Sequence, residues 1–174
     1  MTNRIEVPYT YRFAEMVDIL DDEGLLLAAT KPSGESNTMT IGWGTVGVIW
    51  GLPVFSVLVR PSRYTYEFIE ASGEFTVNVP KADMRSFVDF CGTRSGRDVN
   101  KFAEFNVATS PGQRVAAATI DPCQWVYECR VVQKNDVLPE AFASKIIPAY
   151  YPSGDFHRVY YGEIVGVFAN PPEV

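Results

Sequence analysis

The sequence predicts a mostly β fold of the α+β class, with about six strands arranged as a barrel. Twelve prolines and thirteen glycines, spread along 174 residues, favour many short elements over long helices. The strongest apolar runs are short and rich in β-branched and aromatic residues, which is typical of strands. A parallel α/β sheet would need longer crossover helices than any pattern here predicts. The length suits one domain over residues 1–174.

The first strand is predicted at residues 25–30, a continuous apolar run between two turn-forming segments. Helical spacing begins at Ser62, a candidate N-cap, and Gly73 is expected to end that helix. Residues 14–20 fit either a helical turn or an extended lead-in. The remaining predicted strands are 38–48, 54–59, 75–79, 124–133 and 158–168, and the remaining predicted helices are 83–90 and 99–104.

The composition narrows the possible partners. A net charge of −6 and a pI near 4.8 argue against a nucleic-acid surface, which needs a basic footprint. Neither a signal-peptide pattern nor a membrane-length apolar run is found, so a cytoplasmic protein with no membrane partner is expected. Cys91, Cys123 and Cys129 lack metal or redox spacing, and they are expected to pack as free thiols in a reducing compartment.

Residues 36–65 are the most informative segment for function. Thr38, Thr40, Gly42 and Trp43 precede an apolar strand that ends in the sequence RPSRYT at residues 60–65. Hydroxyls, amides, an indole and two guanidiniums around short strands suit a planar, phosphorylated ligand. We interpret the segment as a flavin mononucleotide (FMN) site.

Two places could bind the phosphate of such a ligand. At the helix that opens near Ser62, free N–H groups, hydroxyls and the Arg63 guanidinium could converge on an anion, although an ordinary cap with a solvated arginine gives the same pattern. Residues 91–102 carry three cations in a glycine-containing loop, which is also compatible with a solvated turn.

Other motifs are weaker. Residues 42–47 match the dinucleotide pattern G-x-G-x-x-G, but their β-rich context argues against it. His157 is the only histidine, which excludes multi-histidine metal sites, and no Cys, His and carboxylate cluster predicts a metal. No G-x-S-x-G elbow supports a hydrolase. His157 could equally be structural.

Five segments taken in order carry a family resemblance. They are residues 37–44 (NTMTIGWG), 53–65 (PVFSVLVRPSRYT), 69–78 (IEASGEFTVN), 91–102 (CGTRSGRDVNKF) and 157–165 (HRVYYGEIV). Together they resemble the flavin reductase-like, FMN-binding split-barrel family, and most closely its flavoredoxin-like branch, over about residues 22–169. The resemblance implies a six-stranded antiparallel split barrel with Greek-key topology, and non-covalent FMN at a homodimer interface.

The resemblance also implies roles for individual residues. His157 would lie near the flavin face and the incoming nicotinamide, as the candidate catalytic residue. The isoalloxazine ring would lie along Asn37, Thr38, Met39, Thr40 and Trp43. The ribityl phosphate would be held by Ser62, Arg63, Tyr64 and Thr65, and the anion site completed by Ser95, Gly96, Arg97 and Lys101.

The implied activity is that of an FMN-dependent oxidoreductase. Electrons from NAD(P)H or a reduced protein would pass through FMN to a flavin, a metal centre or a small acceptor. Two features depart from the family pattern: Asn100 stands where aspartate is common, and Trp43 is bulkier than the frequent serine. Trp43 favours an electron carrier that does not itself oxidise NAD(P)H, and a small-molecule binding module without flavin is the third hypothesis.

Overall fold

The computed structural model describes residues 3–171, in which an antiparallel sheet is the dominant element. The strands are β1 (Ile5–Glu6), β2 (Leu25–Thr30), β3 (Ser36–Ile41), β4 (Gly44–Ile49), β5 (Leu52–Val59), β6 (Glu74–Val79), β7 (Thr109–Pro111), β8 (Ala118–Ile120), β9 (Trp125–Asp136) and β10 (Arg158–Ala169). The helices are α1 (Phe13–Asp22), α2 (Tyr64–Ser72), α3 (Arg85–Thr93), α4 (Lys101–Glu104) and α5 (Ile146–Tyr150), with short 3₁₀ turns at Ala82–Met84 and Pro139–Ala141.

The main sheet curls on itself. Its strand order is β3-β2-β6-β9-β10-β5-β4, with β1 added beside β10, and neighbouring strands run antiparallel. β3 and β4 lie at opposite ends of this order, yet only Gly42 and Trp43 separate them in the chain. Two residues span at most about 10 Å from Ile41 to Gly44, so the two ends of the sheet must meet. Because β3 and β4 do not pair, the resulting barrel is open at this seam.

The six predicted strands are all present, but the second is divided. Residues 38–48 were expected as one strand, whereas β3 ends at Ile41 and β4 begins at Gly44. β3 pairs with β2 and β4 pairs with β5, so the chain must change partners at this point. The hairpin from β4 to β5 turns at Trp50 and Gly51, whose φ values of 54° and 73° fit a type I′ turn.

The helix predicted between Ser62 and Gly73 is present, but its N-cap residue differs from the predicted one. α2 begins at Tyr64 with Arg63, not Ser62, as its N-cap. Gly73 ends α2 in the left-handed conformation with φ 69°, as expected for a glycine cap. The ambiguous lead-in at residues 14–20 is helical and lies within α1.

β2 is buried on both faces, which explains its unbroken apolar sequence. Leu25 and Leu27 join the main core inside the barrel, while Leu26 packs in a second cluster beneath α3. The second cluster includes Cys91 and Cys123, and the three cysteines are buried and unpaired. This double burial holds α3 against the barrel wall near the seam. No helix among residues 3–171 is long and apolar enough to cross a membrane.

Candidate functional site

Two adjoining clefts lie beside the barrel seam, where β3 meets the start of α2 and the end of α3. The inner cleft, of about 150 Å³, includes Asn37, Thr65, Gly96 and Lys101 among its lining residues. The outer cleft, of about 170 Å³, includes Trp43, Arg60 and His157. Both clefts are lined by Met39, Thr40 and Arg63, so the two form one continuous groove.

Asn37 organises the inner cleft from β3. Its Nδ2 donates a 2.9 Å hydrogen bond to Thr65 Oγ1, in the first turn of α2. Since the Thr65 oxygen accepts this bond, its own hydroxyl hydrogen remains available to a ligand. The backbone of Gly96 presses against the same amide, because a Cβ on Gly96 would lie 2.1 Å from Asn37 Oδ1. Glycine is therefore required here by close approach.

Lys101 is a buried cation that joins β3 to α3. It is 4% exposed, and its Nζ donates to the carbonyls of Thr38 at 2.8 Å and Cys91 at 2.9 Å. The Cys91 carbonyl belongs to the last turn of α3, where a positive charge is favourable. Burial lowers the pKa of Lys101 from its ordinary value. The third N–H of an ammonium at this position is left for a ligand in the inner cleft.

Two arginines line the inner cleft and a third lies just outside it, and the three differ in what they contact. The guanidiniums of Arg63 and Arg94 are exposed, line the cleft and have no hydrogen-bond or ion-pair partner within residues 3–171. Arg97 instead donates 2.5 Å and 2.9 Å bonds to Glu67 and the Ser62 carbonyl, and lies outside the inner cleft. The contacts therefore favour Arg94 over the predicted Arg97 as a ligand to an anion.

Several other predicted site residues use their hydroxyl groups in hydrogen bonds within the protein. Ser62 lines the inner cleft, but its hydroxyl donates to Asp155 Oδ2 at 2.5 Å instead of capping α2. Thr38 is fully buried, and its hydroxyl donates to the Leu27 carbonyl, so its side chain is not available to a ligand. Four other predicted residues line the inner cleft: Tyr64, Ser95, Met39 and Thr40. The Thr40 hydroxyl donates to the Val88 carbonyl.

Aromatic rings close the outer cleft. Trp43, 39% exposed at the seam, packs against His157 with ring centroids 5.1 Å apart. Tyr150 meets the same indole edge to face at 5.2 Å. Tyr150 and Tyr151 come from the segment between β9 and β10. The outer cleft is therefore bordered by the flat rings of Trp43 and His157, and Arg60 and Arg63 also belong to its lining.

His157 is almost buried and uncharged at neutral pH. It is 8% exposed, and its Nδ1 lies 2.7 Å from the Tyr151 hydroxyl. Burial lowers the pKa of His157 to about 4, with Arg60 and, more weakly, Arg63 acting in the same direction and Asp155 opposing them. A neutral imidazole at this position can donate or accept a hydrogen bond but carries no charge.

Arg60 is one of the two guanidiniums noted in residues 36–65, but the sequence analysis gave it no individual role. It follows β5, and its guanidinium donates to the carbonyls of Tyr150 at 2.8 Å and Asp155 at 3.1 Å. It also lies 5.0 Å from the centre of the Tyr151 ring. Arg60 thus fixes the segment between β9 and β10 against the outer cleft. The sequence shows that Arg60 lies three residues before Arg63. It does not show that Arg60 contacts carbonyls about ninety residues away in the chain.

The fold and the groove together define a split-barrel protein whose groove has buried Lys101 and two exposed arginines at one end and the Trp43 and His157 rings at the other. Comparison with known proteins gives the family. The chain belongs to the family described as "Flavin reductase like domain", whose model matches residues 22–173. The antiparallel sheet with few helices agrees with the fold of a related structure described as having a split barrel domain.

Individual proteins that resemble this chain share less than a third of their aligned residues with it. An uncharacterized protein of Archaeoglobus fulgidus is 30% identical over 131 residues, or 75% of this chain, and the chain spans 64% of that relative's length. Flavoredoxin from Methanosarcina acetivorans is 27% identical with a TM-score of 0.68, over 87% of this chain and 71% of the other. An FMN-binding domain of a flavin reductase-like enzyme from Shewanella baltica is 20% identical, with a TM-score of 0.68, over 97% and 78% of the two chains.

Proposed function

We propose that this chain binds FMN non-covalently in the continuous groove and works as an oxidoreductase of the flavin reductase or flavoredoxin type. The observation that carries the proposal is the division of the groove into a cationic inner cleft and an aromatic outer cleft. FMN has the same division, with a phosphate at one end and a flat ring at the other. The family membership and the FMN-binding relative support the choice of ligand.

The inner cleft fits a phosphate. At the start of α2, the N–H groups of Tyr64 and Thr65 have no partner inside the helix, and they can bind an anion. The Thr65 hydroxyl and the guanidiniums of Arg63 and Arg94 add donors, and Lys101 adds charge from below. We assign the ribityl phosphate to these groups, and this set replaces Arg97 by Arg94.

The outer cleft fits the ring system. β3 ends the strand order, so one edge of its backbone is not paired with another strand and offers polar groups to the groove. Met39 and Thr40 of β3 line both clefts, and Trp43 and His157 flank the outer one. Backbone groups of β3 would bind the polar edge of the isoalloxazine, while His157 orients the ring or an incoming donor.

Bound FMN would supply hydride and single-electron transfer, with NAD(P)H or a reduced protein as donor and a flavin, a metal centre or a small molecule as acceptor. The contacts of Trp43 favour one alternative, an FMN electron carrier that does not oxidise NAD(P)H. Its indole packs on both His157 and Tyr150, which narrows access to the ring. Stopped-flow mixing tests this point: bleaching of bound flavin by NADH or NADPH within seconds would exclude the carrier, and bleaching only by a protein donor or dithionite would exclude the reductase.

Gly96→Ala is expected to weaken FMN binding by about ten-fold or more, the cost of losing roughly one well-placed hydrogen bond. The new methyl group would collide with the Asn37 amide, and that amide positions Thr65. Fluorescence titration of the apoprotein with FMN measures the change.

Gly92→Ala is the matched control, because Gly92 lines the same inner cleft but its Cβ would meet nothing closer than 3.4 Å, at Thr40. It should leave the FMN dissociation constant within about two-fold of wild type, since ordinary contacts cost little. Equal losses in the two variants would contradict the requirement for close approach at Gly96.

We also propose a homodimer that uses the β4 edge. β4 is the other end of the strand order, and Val48 and Trp50 are each 64% exposed on it and its turn. Unpaired edge backbone beside exposed apolar side chains favours association. Val48→Glu is expected to shift a dimer to monomer in light scattering at micromolar concentration, whereas Val17→Glu on α1 should not. A monomeric wild type would contradict the proposal.

A further inference from the structure

The histidine of the outer cleft is itself held by a buried tyrosine. Tyr151 is 4% exposed, and its hydroxyl lies 2.7 Å from His157 Nδ1. Within residues 3–171, Nδ1 is the only hydrogen-bond partner of this hydroxyl, and Nε2 has none. Because His157 lines the outer cleft, its Nε2 is the ring nitrogen left for a ligand there.

The direction of this hydrogen bond sets the tautomer of the imidazole. A phenol hydrogen buried beside His157 needs an acceptor, and Nδ1 is the acceptor within reach. If Nδ1 carried the proton and donated to the phenol oxygen, the phenol hydrogen would be left without a partner among the described residues. The arrangement that pairs the buried donor puts the imidazole proton on Nε2.

We propose that Tyr151 is a positioning residue that fixes His157 as the neutral Nε2–H tautomer, so that His157 acts as a hydrogen-bond donor to an oxygen in the outer cleft and not as an acid or base. The inference rests on the proposed function only for the identity of that oxygen, which belongs to a carbonyl of the flavin or of a second substrate. The tautomer itself depends on residues of this chain alone.

Packing around Tyr151 makes it a rigid support. Phe156 stacks on its ring at 4.8 Å with an interplanar angle of 28°, and Phe142 lies 5.4 Å away. Arg60 covers it at 5.0 Å. Since these contacts involve the ring, Tyr151→Phe keeps them and removes only the hydroxyl.

The charged and titratable groups that face His157 also favour its neutral form. Arg60 from the end of β5 and Arg63 from the start of α2 lower the pKa of His157 in addition to burial, and Asp155 from the loop before β10 only partly opposes them. Burial raises the pKa of Tyr151, so the phenol keeps its hydrogen at neutral pH. Trp43, the remaining neighbour in the outer cleft, carries no charge.

The test is nitrogen NMR of the imidazole in the FMN-free protein. His157 is the only histidine, so its two ring nitrogens are identified without assignment of other residues. The wild type is expected to show a protonated Nε2 and an unprotonated, accepting Nδ1, with no protonation between pH 8 and pH 5. A wild type with the proton on Nδ1, or one that protonates near the ordinary pKa of about 6.5, would overturn the proposal.

Tyr151→Phe is expected to give a mixture of tautomers, because the group that selects one has been removed. The loss of one hydrogen bond to the neutral form should also raise the pKa of His157 by about 0.5–1 unit. Tyr150→Phe is the matched control, since that hydroxyl has no partner within residues 3–171 and the residue is 50% exposed. Identical imidazole spectra for the two variants would overturn the role of Tyr151.

The FMN-loaded protein gives a separate readout. If His157 only donates a hydrogen bond, the rate of flavin reduction by dithionite or NADH in the wild type should change less than two-fold between pH 5.5 and pH 8. A two-fold change corresponds to about 0.4 kcal/mol. An inflection in the wild-type rate near pH 6.5 would overturn the proposal. A locked tautomer in a protein that binds no FMN would contradict the proposed function alone.

Discussion

Arg63→Ala is expected to raise the FMN dissociation constant by roughly 10- to 100-fold, because charge-assisted hydrogen bonds contribute about 1.5–3 kcal/mol. Arg63 occupies the N-cap position of α2 without a side-chain capping bond and lines both clefts, and its guanidinium has no partner within residues 3–171. Its charge is therefore available to the ligand without breaking an existing ion pair. FMN titration of the apoprotein, followed by flavin fluorescence, measures the loss.

Variants of two other arginines test whether the loss of FMN binding is specific to Arg63. Arg94→Ala should also weaken binding, by a smaller factor, since Arg94 lines the inner cleft only. Arg97→Ala should change it least, because Arg97 is already paired with Glu67 and lies over the Tyr64 ring at 4.9 Å. If Arg97→Ala weakened FMN binding more than Arg63→Ala, the assignment of the phosphate to the start of α2 would be wrong.

Lys101→Met is expected to lower the free energy of unfolding by about 2–4 kcal/mol in the FMN-free protein. The substitution leaves the buried carbonyls of Thr38 and Cys91 without their donor, and each such loss costs roughly 1–3 kcal/mol. Relief from burying a charge offsets part of that cost. Urea denaturation followed by circular dichroism measures the change.

Lys134→Met provides the control for a lost lysine. Lys134 forms a surface pair with Glu70 and is 46% exposed, so its removal should cost less than about 1 kcal/mol. A similar small loss in Lys101→Met would show that Lys101 does not join β3 to α3. Because Lys101 also lies under the inner cleft, Lys101→Met should weaken FMN binding in addition to lowering stability.

The sequence predicted the structure correctly where residues within one segment determine the conformation of that segment. The apolar run at β2 is buried on both faces, and turn residues at both ends set its bounds. Gly73 ends α2 because only a residue that accepts a positive φ fits that cap. The order of these segments also supported the family, which the comparison confirms.

Features that depend on distant pairing were not predictable in the same way. The break between β3 and β4 is a change of partner from β2 to β5, and nothing within residues 38–48 specifies it. The same segment contains Gly42, Gly44 and Gly47, but glycines in a β-rich stretch also fit a continuous strand. The open seam that creates the groove follows from this break.

The cations of the inner cleft show why the individual residues of a binding site are harder to predict than the segment that contains the site. Arg94 and Arg97 are three residues apart in one loop, and both have the charge that a phosphate needs. Only the loop conformation decides that Glu67 engages Arg97 and that Arg94 faces the cleft. The sequence assigned no individual role to Tyr151, because its contact with His157 forms only across the turn before β10.

The most direct test of the central claim is a titration of the purified wild-type protein with FMN, followed by gel filtration and an absorption spectrum. The proposed groove predicts a protein that keeps its flavin band, with one FMN per chain and a dissociation constant in the micromolar range or below. A colourless protein after gel filtration, with no change in flavin fluorescence during the titration, would contradict it.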